Sequence, residues 1–71
     1  MSRAPVTIEA MLRQLTAAYP GVDFTAGERS EGYWIRAVAL TGNWTWERFR
    51  MTSVGAAHVF AQVALSEFYG N

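Results

Sequence analysis

Cysteine is absent from this 71-residue sequence, so neither a disulfide nor a thiolate metal site is open to it. Histidine occurs once, at position 58, which is too few for an imidazole zinc site. Lysine is missing too. The six basic residues are all arginine, a bias that fits either GC-rich coding or selection for planar donors that stack on rings. Six acidic residues balance them to zero net charge, which argues against a dominant, sequence-independent grip on phosphates and leaves room only for a local patch. No stretch approaches the ~18 continuous apolar residues of a membrane-spanning helix, and the N-terminus lacks the apolar core of a signal peptide. The expectation is a cytoplasmic chain with no membrane partner.

A chain this short buries only about 60% of its unfolded surface. With no covalent or metal staple expected, core packing or self-association must hold it together. Hydrophobic residues make up 51% of the sequence and aromatics 14%, enough to exclude a disordered segment and to predict one small domain over residues 1–71.

Ile8, Met11, Leu12, Leu15 and Tyr19 recur at helical spacing, predicting a first helix over Ile8 to Tyr19 with Thr7 as N-cap and Pro20-Gly21 as terminator. Val22, Phe24 and Ala26 alternate with polar residues as in a half-buried strand. The polar block from Gly27 to Gly32 reads as a turn or loop. Tyr33 to Leu40 and Trp44 to Met51 read as two strands joined through Thr41-Gly42-Asn43. Ser53, with Thr52 beside it, caps a last helix reaching Tyr69, and Gly70 suits a left-handed C-terminal position. The predicted fold is α+β, in the order αβββα, with a three-stranded antiparallel sheet and both helices packed on one face.

The second hairpin crowds three tryptophans among three arginines. A three-residue turn places Trp34, Arg36, Val38, Leu40, Trp44, Trp46, Arg48 and Arg50 on one face, and Tyr33, Ile35, Ala37, Ala39, Phe49 and Met51 on the core face. It also sets Arg36 opposite Arg48, an unfavourable like-charge pair. A two-residue Gly42-Asn43 turn instead moves Trp46 to the face of Ile35, Ala37 and Ala39 and separates it from Trp34. In the first register Trp34, Arg36, Trp44, Trp46, Arg48 and Arg50 form a candidate partner-binding face, since tryptophan and arginine are enriched at interface hot spots. The competing explanation is that cross-strand tryptophan and arginine pairs stabilise the sheet by cation–π contact alone.

In the last helix Val54, Ala57, Ala61, Ala64, Leu65 and Phe68 form an apolar stripe, while Val59, Phe60 and Val63 carry apolar character well around the cylinder. Such a helix is either central to the core or packed on two surfaces. His58 falls with Gln62 on the narrow polar strip, where a solvated histidine is expected, and no partner at motif spacing makes it catalytic. Asp23, Glu28 and Glu31 are too sparse for a hard-cation loop. No catalytic residue, cofactor or metal site is expected, and the chain is not read as an enzyme.

The αβββα order, with the alanine-rich last helix Gly55-Ala56-Ala57-His58-Val59-Phe60-Ala61-Gln62-Val63-Ala64-Leu65, resembles the double-stranded RNA-binding domain over nearly the whole chain, at the level of topology. Members of that family carry lysines at the start of the second helix that clamp phosphates across the major groove. Here Ser53 to Ala57 contains no basic residue.

The function expected from these features is a non-enzymatic interaction module, of a kind common in phages and mobile elements. It would bind a partner protein, or itself, through the tryptophan and arginine sheet face or the apolar second helix. The alternative is a nucleic-acid-binding module that stacks bases on Trp34, Trp44 and Trp46 while Arg36, Arg48 and Arg50 meet phosphates.

Overall fold

Thr7 opens the first helix as the sequence predicts: its backbone is extended and its Oγ1 accepts a hydrogen bond from the Ala10 N–H at 3.1 Å. In a computed structural model, which describes residues 6–69, the elements run α1 (Ile8–Ala18), β1 (Val22–Arg29), β2 (Gly32–Ala39), β3 (Thr45–Met51) and α2 (Val54–Phe68). Ser53 caps α2 in the same manner, its Oγ accepting from the Ala56 N–H at 3.1 Å. Tyr19 and Tyr69 stand just past the helix ends and stack on each other at 5.6 Å. The left-handed position expected of Gly70 lies outside the described residues.

The three strands form one antiparallel sheet in the order β1-β2-β3, completing the predicted α+β layout. Ala26↔Ile35, Phe24↔Ala37 and Val22↔Ala39 pair on the face that both helices cover. There α1 lies on β1, while α2 crosses β2 and β3 and touches α1. Met11 and Leu15 of α1, Ile35 of β2 and Leu65 of α2 are the largest fully buried side chains, and each contributes about 1.5–3 kcal/mol relative to exposure. Ala37, Ala57 and Ala61 are fully buried as well, the small residues that let α2 come close to the sheet.

Two boundaries differ from the sequence reading. The block from Gly27 to Gly32 is not a long loop. β1 continues to Arg29, which pairs with Gly32, so only Ser30 and Glu31 turn the chain. Leu40 is not a strand residue either. Ala39 and Trp44 close the β2–β3 turn around four residues, 40–43: the Gly42 N–H reaches back to the Ala39 C=O at 2.8 Å and the Ala39 N–H pairs with the Trp44 C=O at 2.9 Å. Gly42 takes a left-handed φ of 79°, which a side chain would oppose.

Candidate interaction surface

The four-residue loop decides where the tryptophans point. With Val38 across from Thr45, Arg36 across from Glu47 and Ile35 across from Arg48, the ladder is one residue out of step with the three-residue expectation, and that reverses every side chain of β3 up to Arg48. The face assigned to Trp34, Arg36, Trp44, Trp46, Arg48 and Arg50 therefore does not form. Trp34 and Arg36 lie on the open face of the sheet. Trp44, Trp46 and Arg48 lie on the helix side, as a two-residue turn would also have placed them.

Packing and charge both favour this outcome. Trp44 stacks on Phe68 of α2 with ring centroids 4.5 Å apart, and Trp46 sits across from the fully buried Ala37 and packs against the core. The Arg48 guanidinium lies 4.8 Å above the ring of Phe60. Arg36 faces Glu47 rather than Arg48, so opposite charges replace like ones across the strands.

A bulge near the end of β3 completes the arrangement. Tyr33 pairs with Met51 while Ile35 pairs with Arg48, so β3 carries one extra residue opposite Trp34, and Arg50 adopts a left-handed φ of 61°. The bulge restores the parity that returns Met51 to the core. Phe49, expected in the core, is instead 46% exposed near Trp34 on the open face.

One end of that open face is covered by its own side chains, while Asp23, Thr25, Arg36 and Glu47 stay exposed. Trp34 lies over Gly27, where a Cβ would come within 2.6 Å of its Nε1, and the Arg29 guanidinium stands 5.6 Å from the Trp34 ring and 5.7 Å from the Phe49 ring. The polar block from Gly27 to Gly32 places Arg29 in a loop by sequence and so does not single it out. Its signal was the continued alternation Asp23, Thr25, Gly27, Arg29, which shares one face.

The second surface is the outward side of α2. Whereas α1 is clearly amphipathic, α2 is apolar nearly all round. Val54, Ala57, Ala61 and Leu65 are buried in the core, but Val59 and Val63 are each 55% exposed and Phe60 is 42% exposed. Half-buried Ala56, which also packs against the core, and half-buried Ser66 continue the Val59 and Val63 row at either end. His58 is half-buried rather than fully solvated, and its loss of water holds the imidazole pKa below the usual 6.5.

A shallow open cleft lined by Ala18, Tyr19, Pro20, Gly21 and Tyr69 brings together no acid, base or nucleophile beyond two tyrosines. Among the described residues no three histidine or carboxylate side chains gather where they could hold a metal ion, and no helix is long and apolar enough to cross a membrane. No family model, characterised protein or solved structure matches the chain, so the likeness to the double-stranded RNA-binding domain rests on the order αβββα alone.

Proposed function

We propose that this chain is a non-enzymatic interaction module that takes an apolar helix of another polypeptide along the outward side of α2. The observation that carries the reading is the row of Val59 and Val63, one turn apart and each more than half exposed, with Phe60 beside them under Arg48. Single exposed apolar residues are ordinary on soluble proteins, whereas an apolar row along one helix is the surface that partners cover. Its spacing favours a helix as the ligand. Ala56, Val59, Val63 and Ser66 follow intervals of three, four and three, the seam that a second helix meshes with, and the small residues at its ends allow close approach.

The sheet face supports the function less well than α2 does. Trp34 is already covered by Arg29 and Gly27, and Arg36 has Glu47 across the strand. The nucleic-acid alternative drew on a platform of three tryptophans, and the register divides those rings between two faces.

Selection from a display library containing helical and extended peptides tests the reading. Amphipathic helices with apolar residues at three- and four-residue intervals should be recovered, and the Val63→Glu protein should bind them at least about tenfold more weakly, the loss expected for a charge placed in an apolar seam. Recovery only of extended peptides, or of helices that bind the Val63→Glu protein equally well, would refute it.

A further inference from the structure

We infer that the helix received by this face is α2 of a second copy of the chain, docked antiparallel about a two-fold axis level with Ala61. The inference rests on the helix-docking reading above and names its occupant.

The seam is complementary to its own reverse. Val59 and Val63 have their midpoint at Ala61, and so do Ala56 and Ser66. Turning a second α2 end for end therefore sets Val59 against Val63 of the second copy and Ala56 against Ser66 of the second copy. Large meets large at the centre, and small meets small at the ends, which is the self-complementarity an isologous two-fold contact requires. A parallel pairing would align each residue with itself but bring like helix ends together.

Charge selects the same direction. The first turn of α2 carries no acidic residue and its last turn no basic one, while the exposed Glu67 stands in that last turn, at the negative end of its own helix dipole. In the antiparallel pair Glu67 comes level with Gly55 of the second copy, in the first turn of that helix, which has the Ser53 cap but no acidic residue of its own. A placement that is unfavourable within one chain becomes favourable between two. The zero net charge offers no overall repulsion to oppose the pairing.

Size sets the strength. A standard interface takes about 800 Å² from each partner, and this chain exposes 4822 Å² in all. One helix of fifteen residues, flanked by Phe60 and Arg48, is a small contact beside that standard, so the pairing is an exchanging dimer rather than an obligate one.

The absence of native cysteine makes the register directly readable. Equal amounts of the Val59→Cys and Val63→Cys variants of the full chain, mixed in a glutathione redox buffer, should give the mixed disulfide in about tenfold excess over either homodisulfide, because only the mixed pair faces across the axis. Sedimentation equilibrium of the wild type should show a concentration-dependent dimer, and Val63→Glu should weaken it at least about a hundredfold. Arg36→Glu, on the open sheet face, should leave it unchanged. A wild type that stays monomeric up to about millimolar concentration, or disulfides in statistical proportion, overturns the inference. If foreign helical peptides still bind the wild type and not Val63→Glu, the helix-docking reading survives that failure; loss of peptide binding as well removes both.

Discussion

Ala37 lies directly across the strands from Trp46, a fully buried methyl group facing an indole ring on the side of the sheet that α2 covers. The pair fixes the register of the second hairpin: a slip of one residue would expose the indole and bring Glu47 toward the core. Ala37→Leu adds volume at a fully buried position between Trp46 and α2, and should destabilise the protein by about 1–3 kcal/mol in urea titration. A fully stable variant would mean that this position does not face α2.

Gly27 lets the Trp34 ring lie flat on β1. Gly27→Ala places a Cβ within 2.6 Å of Nε1 and 2.9 Å of Cε2, so the ring must lift and its contact with Arg29 must weaken. The expected cost is about 0.5–1 kcal/mol, the worth of an exposed cation–π contact. The Trp34 indole N–H resonance should move while those of Trp44 and Trp46 stay in place. Displacement of all three would contradict the division of the rings between two faces.

Arg50 holds the bulge of β3 at φ 61°, a conformation that costs a side chain about 1–2 kcal/mol and glycine almost nothing. Arg50→Gly should therefore stabilise the fold by about 0.5–1 kcal/mol once the greater chain entropy of glycine is counted, and Arg50→Val should destabilise it. Thermal unfolding of the two variants beside the wild type reads the sign.

The partial burial of His58 gives stability a pH dependence whose sign follows from desolvation. Its folded-state pKa is depressed by loss of solvent, so below about 6.5 the unfolded chain takes up the proton first and is favoured. This contribution to stability is complete above the unfolded pKa, declines as the pH falls through 6.5, and levels off below the folded pKa. Between pH 7.5 and about 5.5 the thermal midpoint of the wild type should fall more than that of His58→Gln. Parallel curves would show that the imidazole is equally solvated in both states.

Much of the fold was legible because its signals are local. The periodicity of Ile8, Met11, Leu12 and Leu15 and the caps Thr7 and Ser53 need only a few neighbouring residues to act. The hairpin was harder. Whether Leu40 closes a strand or opens a loop depends on Trp44 finding Phe68 and Trp46 finding Ala37, contacts between residues far apart in sequence. Alternation alone cannot foresee the extra residue near Arg50, which is why Phe49 and Met51, two positions apart, end on opposite faces. The excess apolar character of α2 was visible from the start. Which of its residues remain outside was not, until the sheet and α1 had covered Val54, Ala57, Ala61 and Leu65.

Concentration-dependent NMR of backbone amides locates the working surface without any substitution. From dilute to about millimolar protein, shifts should concentrate on Ala56, Val59, Phe60, Val63 and Glu67, leaving Thr25, Trp34 and Arg36 on the open sheet face unmoved. Shifts centred on Trp34 and Arg36 would assign the interaction to the sheet and contradict the role given to α2.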